Sequence, residues 1–430
     1  MKTRHFAVAA ALILALAPAA YARDNWLGAW GFVPVPPPPG AVMPSNTLPL
    51  SPLGETPQPQ SPTAPLIENP GNVPVTLLNS DPANVTIRQI ARVSVAGKRI
   101  RLRFSNESSP DLLALGAVHV GLAGPDGSVV AGSDRVVTFD RHRSVLIPAS
   151  APLLSNPVDL PVKALDRLAI SIHVPGAAPR TGHTLMQYVS GEAGDQTGAA
   201  QLPRQTLARL TALVTEVDVD AATATGVVVA LGDSITDGAT STINAFRSWP
   251  DRLAERLAPA GKLAVVNTGI GGNRLLRYGT GPSALARLDR DVLAVPGVKV
   301  IILLEGINDI GRGFQSTGVR DPMSVDGLIA ADRQIIQRAH DHGIKVIGAT
   351  LTPYQGAGYA SPEGEQARQA LNNWIKTGGE FDGVADFAAA TADPADPLAF
   401  RQGFNITDHL HPNDAGYQAM ADSINLSLLK

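Results

Sequence analysis

Four short blocks of this chain hold residues that could act together on one bond. The first is Gly232-Asp233-Ser234, which ends the apolar run "GVVVAL". The second is "NTGIGGN", Asn267 to Asn273, and the third is "EGIND", Glu305 to Asp309. The fourth is "DHLHPNDAGY", Asp408 to Tyr417. A serine hydroxyl is a weak nucleophile until a base takes its proton. That base is normally a histidine held in one tautomer by a carboxylate. His411 and Asp408, three residues apart, can supply both from a single loop. Acyl chemistry also needs donors aimed at the oxyanion. The backbone N–H of Ser234 at a strand-to-helix turn is one. A glycine N–H of "GIGGN" is a second, because a residue without Cβ lets the backbone come close to a ligand. The side-chain amide of Asn308 is a third.

These blocks need a scaffold that brings them to one edge. From about Thr225 onward, apolar runs alternate with amphipathic stretches. "GVVVALG", "KLAVVNTG", "VKVIILLEG", "IKVIGATLTP" and "FDGVADF" read as strands. "SWPDRLAERL", "PSALARLDRDVLA", "DGLIAADRQIIQRAHDHG", "PEGEQARQALNNWIKTG" and "PNDAGYQAMADSINLSLL" read as helices. Strands that are apolar throughout and alternate with helices predict a parallel sheet covered on both faces. Reactive groups in such sheets gather at the C-terminal ends of the strands. Three of the four blocks fall there, and the fourth can return to the same edge before the last helix.

The four blocks in this order resemble those of the SGNH superfamily of GDSL-type esterases and lipases, over about Val227 to Lys430. "GDSITDG" resembles the nucleophile block, with Ile235-Thr236 where the family emblem has leucine after the serine. The resemblance implies an α/β, flavodoxin-like three-layer hydrolase domain with a parallel sheet. It implies Ser234, Asp408 and His411 as the catalytic set. Ser234, Gly272 and Asn308 become the oxyanion donors, with Gly271 the competitor of Gly272. No His/Asp/Glu cluster shows tight metal spacing, so no metal is expected, and no cofactor. "NWLGAW", "TIRQIARVSVAGKRIRLRFSNE" and "GSDRVVTF" further resemble secreted bacterial members in which a β-rich domain precedes the hydrolase.

Each residue also has a plainer use. Ser234 could cap a helix, Gly271 and Gly272 could make a tight turn, and Asn308 could cap the segment after it. Asp233 reads as a turn residue and Asp309 as structural. His411 is preferred to His409 because of the Asp-x-x-His spacing, with Pro412 then suiting the first turn of a helix. His340 and His342 suit a helix C-terminus. His119 and His173 read as packing or surface residues, and His183 as a loop residue able to reach a cleft. There is no G-x-S-x-G nucleophile elbow.

Upstream, about Val75 to Val219 breaks into short alternating runs divided by Gly, Pro, Asn and Asp, which predicts a β-sandwich-like domain. Phe32 to Pro74 is too rich in proline for helix interior or central strand. Trp26 and Trp30 just before it are expected to pack on the following domain. At the start, Lys2 and Arg4, the apolar run Phe6 to Ala20 and Ala20-Tyr21-Ala22 form a cleavable signal peptide pattern, too short to anchor. The expected division is 1–22 signal peptide, 23–74 N-terminal strand and Pro-rich segment, 75–219 β-rich domain and 220–430 hydrolase domain.

The chain has 430 residues, a formal net charge of −3 and no cysteine. Near-balanced charge argues against nucleic acid or an anionic membrane as partner. Lack of cysteine excludes disulfides, thiolate metal sites and a cysteine nucleophile. The expected function is a secreted or periplasmic esterase cleaving short-acyl esters of small molecules or glycans, with no stable membrane insertion. Acyl transfer or lipase activity at the same site, and a carbohydrate- or surface-binding protein with weak hydrolysis, are the alternatives.

Overall fold

A computed structural model describes residues 24–37, 66–76, 82–179, 182–315 and 321–430. The leader pattern of residues 1–22, with its cleavage point near Ala22, and the proline-rich stretch 38–65 lie outside the described residues. In the N-terminal region, alternation of apolar and polar residues produces antiparallel strands. In Ile100–Ser105, Ile100, Leu102 and Phe104 turn inward while Arg101 and Arg103 stay half-exposed. This strand belongs to a four-stranded sheet with Trp26–Gly31, Val214–Asp220 and Pro152–Leu154. A six-stranded sheet runs Thr206–Thr211, Thr184–Ala193, Ala83–Arg92, Arg167–Ala177, Val118–Leu122, Arg135–Val137. Ile87, Ile170 and Ile172 of the second sheet join Leu102 and Phe104 of the first in one apolar core. That is the sandwich-like arrangement expected from the sequence. The strands Thr184–Ala193, Thr206–Thr211 and Val214–Asp220 complete the two sheets at the end of this region.

Past Gly226 the sheet is parallel. Its order is Leu263–Asn267, Gly226–Gly232, Val298–Leu304, Lys345–Ala349, Gly383–Ala385. The chain therefore reverses its direction of travel across the sheet at Gly226–Gly232, the strand that carries the Gly-Asp-Ser block. Helices Trp249–Leu257, Phe387–Thr391 and Asp414–Ser423 pack together on one face. Helices Ala284–Leu288, Ile307–Phe314, Val325–Asp341 and Pro362–Thr377 pack on the other. The strand Gly226–Gly232 is buried at every residue, as expected of an inner strand covered on both faces. Among the described residues, no helix is long and apolar enough to cross a membrane.

The two regions meet along the edge strand Leu263–Asn267. Ser94 Oγ accepts from the Val265 N–H at 2.9 Å and donates to Ala29 O at 2.7 Å. The Gly28 N–H donates to Pro296 O at 3.0 Å. Arg92 crosses to Glu255 and Asp251 at 2.8 and 3.3 Å. An open sheet edge exposes unpaired backbone groups, and here the strand-rich region covers it. Trp26 lies under Arg101, whose guanidinium is 4.7 Å from the ring centroid, while Trp30 stacks toward Phe32 at the junction.

Candidate active site

Parallel register sets the height of the site. Gly232 stands opposite Leu304, so Asp233 and Glu305 leave the sheet side by side. The chain after Asn267 keeps pairing with its neighbour, with Ile270 N–H donating to Gly232 O at 3.1 Å. This carries the Gly271-Gly272 turn beside the start of the next helix. Gly232 has no room for a side chain, since a Cβ would lie 2.7 Å from Leu304 O. The strand therefore gives way at once to the one-turn helix Ser234–Asp237, capped by Asp233, whose Oδ1 accepts from Ile235 N–H at 2.8 Å. Ser234 is the first residue of that turn and is not its cap.

His411 and Asp408 come to Ser234 from a loop held at several points. Asp408 Oδ1 accepts from the N–H groups of Leu410 and His411, each at 3.0 Å. Asp408 Oδ2 accepts from His411 Nδ1 at 2.6 Å. With its proton on Nδ1, the ring offers Nε2 as an acceptor, and Ser234 Oγ lies 2.8 Å from it. The loop is tied to the segment after Ser234. Thr240 Oγ1 donates to Pro412 O at 2.7 Å, and Tyr417 OH donates to Ala239 O at 2.6 Å. Asp414 takes Thr242 N–H, Thr242 Oγ1 and Arg247 Nη1 at 2.7 to 2.8 Å. The last helix begins at Asp414 with Asn413 as its cap. Pro412 therefore precedes the cap and does not occupy the first turn as expected, because its carbonyl is used to anchor Thr240. His409 has a positive φ of 56° and is not in this relay.

The three expected oxyanion donors are arranged differently from one another. Among the described residues, no acceptor takes the N–H of Ser234 or of Gly272. Gly272 has φ +72°, and a Cβ there would sit 2.8 Å from Thr280 Oγ1. Asn273 N–H closes the turn on Ile270 O at 3.0 Å. Asn308 lies in the first turn of the helix Ile307–Phe314, whose cap position is Gly306, so Asn308 is inside the helix and not its cap. Its Nδ2 donates to Asn273 O at 2.9 Å and to Asp233 Oδ2 at 3.4 Å, and its Oδ1 accepts from Tyr359 OH at 3.3 Å.

Below these groups is a floor of buried ionisable side chains. Arg287 is fully buried and donates to Thr268 O at 2.6 Å, Gly232 O at 3.0 Å and Asn273 Oδ1 at 2.9 Å. One side chain thus joins the ends of two strands to the glycine turn. Asp291 lies 3.3 Å and Glu305 3.6 Å from its guanidinium. Burial pushes the Asp233 carboxyl up to about 7, against the Ile235 N–H and the His411 charge, which favour its ionised form. Burial, reinforced by Asp233, pushes Glu305 well above the usual carboxylate range. Asp309 is also raised by burial while its oxygens accept from the N–H groups of Leu275 and Leu276. At Asp408 burial also pushes upward, but the hydrogen bonds and charge of His411 and the loop N–H groups outweigh it and hold the carboxyl below its usual value.

Arg287, Glu305 and Tyr359 were not picked out from the sequence. One signal was available for Arg287: it sits among Ala284, Leu288 and Asp291 on the buried stripe of its helix. His183 does reach across from the strand-rich region, with Nε2 3.2 Å from Asp237 Oδ2. His119 pairs with Asp134, His340 with Asp382, and His173 meets Asn84, all away from Ser234.

Residues 230–419 match the model of the GDSL-like lipase/acylhydrolase family. Similar solved structures include a G-D-S-L family protein from Desulfitobacterium hafniense, 23% identical, covering 46% of this chain and 96% of that one at a TM-score of 0.36. A GDSL-like lipase from Bacteroides thetaiotaomicron is 19% identical, covering 47% and 87% at 0.36. A catalytic mutant of an acetylxylan esterase from Geobacillus stearothermophilus is 20% identical, covering 48% and 94% at 0.37. No curated protein matches the chain.

Proposed function

Because residues 230–419 are a GDSL-like lipase/acylhydrolase domain, we propose that this chain is a serine esterase acting through an acyl-enzyme on Ser234. The observation that carries the reading is the unbroken relay from Ser234 Oγ to His411 Nε2, 2.8 Å, and from His411 Nδ1 to Asp408 Oδ2, 2.6 Å. In this reading Ser234 Oγ attacks the ester carbonyl as its proton passes to His411. Asp408 stays ionised and holds the resulting imidazolium. The carbonyl oxygen, now negative, accepts from the N–H groups of Ser234 and Gly272 and from Asn308 Nδ2. Asn308 gives up its longer contact, 3.4 Å to Asp233, to do so. His411 returns the proton to the departing alcohol. Water then repeats the sequence and releases the acid.

The substrates are short-acyl esters, acetylated carbohydrate among them. A formal net charge of −3, with no basic excess, favours uncharged esters over anionic lipid surfaces. The chain is exported, residues 1–22 are removed, and the hydrolase domain begins near residue 220. N-terminal sequencing of the mature protein should start close to Arg23, and Met1 would refute removal. The enzymatic test is Ser234→Ala on para-nitrophenyl acetate. The expected loss in kcat is at least about 10⁴-fold. Activity within tenfold of the parent protein would overturn the reading.

A further inference from the structure

A cavity of about 270 Å³ opens between the strand-rich region and the parallel-sheet region. Trp30, Phe32 and Arg209 line it from one side, and Asp237, Thr242 and Phe246 from the other. Ser234, His411, Asp408 and Asn308 do not line it. It is nevertheless close to them. Asp237 ends the one-turn helix that Ser234 begins, which separates the two by about 4.5 Å along the helix axis.

Its wall is aromatic and rigidly placed. Trp30 and Phe32 are two residues apart in extended chain, so they project to the same side. Their rings are within 8° of parallel, with centroids 6.3 Å apart. Phe32 stacks in turn on His183, 18° from parallel at 3.8 Å. His183 Nδ1 meets Val33 O at 2.9 Å and Nε2 meets Asp237 Oδ2 at 3.2 Å. The wall is thus keyed to the helix that starts with Ser234. Around it are polar groups that can meet a ligand: the hydroxyl oxygens of Thr240 and Ser241, which can accept while their own protons go to Pro412 O and Gly238 O, the Asp237 carboxylate, and Arg209, which donates to Thr184 O at 3.3 Å.

This lining selects among ligands. An acyl chain would desolvate the Arg209 guanidinium and the Asp237 carboxylate without replacing their contacts with water, which is costly. Of the charged groups in the lining, Arg92 is paired with Asp251 and Glu255 and Arg247 with Asp414, which leaves Arg209 against the Asp237 carboxylate and no surplus of charge to hold an anionic ligand. A neutral pyranose suits both features: its axial C–H groups fit the electron-rich face of an aromatic ring, and its hydroxyls pair with the polar rim. The volume is just below the range of about 300–1,000 Å³ for drug-sized ligands, which suits one or two sugar rings. We propose that this cavity is a subsite for a pyranose unit of a neutral glycan whose neighbouring unit presents its ester to Ser234. The inference rests on the esterase reading and adds the part of the substrate that the strand-rich region recognises.

The test compares para-nitrophenyl acetate with mono-O-acetylated cellobiose, xylobiose and chitobiose in the parent protein, Trp30→Ala and Arg209→Ala. Trp30→Ala should raise KM for at least one acetylated disaccharide at least about tenfold more than KM for the aryl acetate. Arg209→Ala, at an exposed rim position that leaves the fold intact, should give a separation of about threefold or more. Calorimetry of the unesterified disaccharides with Ser234→Ala protein should detect binding that the added Arg209→Ala change weakens. Aryl acetate turnover with the two KM values moving together in both variants would overturn the cavity inference and leave the esterase reading standing. A selective rise in KM for octanoate esters would make the cavity an acyl pocket and overturn it likewise. No turnover of any ester would remove the esterase reading, and the calorimetry would still decide whether the cavity binds sugar.

Discussion

Asp408 on the rim of the site and Asp233 on its floor are the same residue type in opposite states. Asp408 accepts three hydrogen bonds, at 2.6, 3.0 and 3.0 Å, and its carboxyl is held below the usual range. Asp233 is fully buried, has one short bond to Ile235 N–H and a longer one to Asn308, and its carboxyl is pushed up to about 7. Both are buried enough to be penalised for charge, so the number and quality of donors decide the outcome. The rim carboxylate keeps its charge and can hold a protonated imidazole. The floor carboxyl holds a proton through the acid range and serves as a cap and packing group. The site therefore combines a charged rim with a floor on which burial holds Asp233, Glu305 and Asp309 toward neutrality.

The difference can be broken first at the rim. His411→Ala removes the proposed base and should lower kcat on an aryl acetate by roughly 10⁵-fold. Asp408→Asn keeps the shape but loses the carboxylate that fixes the tautomer, and should cost roughly 10⁴-fold with little change in melting temperature. At the floor the order of effects inverts. Arg287→Met leaves the carbonyls of Gly232 and Thr268 and the Asn273 oxygen without their donor and takes one of two arginines from Asp291, and should cost about 3–5 kcal/mol of stability in urea unfolding.

Asp233→Asn sharpens the comparison through pH. Because the folded carboxyl titrates above its ordinary value of 3.8, the folded state retains a proton that the unfolded chain releases. The stability it contributes is full below its unfolded value and is lost as pH rises through about 7. The substituted amide keeps an oxygen for the cap but cannot titrate. Thermal melts from pH 4 to 8 should show the downward slope reduced by up to about 1.4 kcal/mol per pH unit. Asp408 has the opposite sign: its contribution is present above 3.8 and is lost as pH falls through its lower folded value. The smallest expected effect is that of Gly272→Ala, which forces a Cβ onto a residue at φ +72° and should cost about 1 kcal/mol.

The rim was legible in the sequence and the floor was not, for a physical reason. Ser234 lies in a short block at a strand end, where a period change in hydrophobicity marks the edge of a sheet. Asp408 and His411 share one loop, so their pairing needs no knowledge of the fold. Arg287 is different. Its partners are carbonyls of Gly232 and Thr268 and the side chain of Asn273, which come together only once the register of the strands is known. Glu305 reads only as the end of a strand, because its nearness to Arg287, 3.6 Å, depends on the register of the sheet. His183 is 54 residues from Asp237, and no local pattern announces their contact. The helix "PSALARLDRDVLA" was legible as helix, but its widening into a π turn at Asp289–Leu293 was not.

The most direct measurement is labelling with a fluorophosphonate followed by peptide mapping. If the relay of Ser234, His411 and Asp408 is the reactive centre, the probe forms one adduct, on the peptide that contains Ser234. Labelling is then absent in Ser234→Ala and slowed at least about 100-fold in His411→Ala. An adduct on another residue, or labelling of Ser234 at an unchanged rate without His411, would contradict the account.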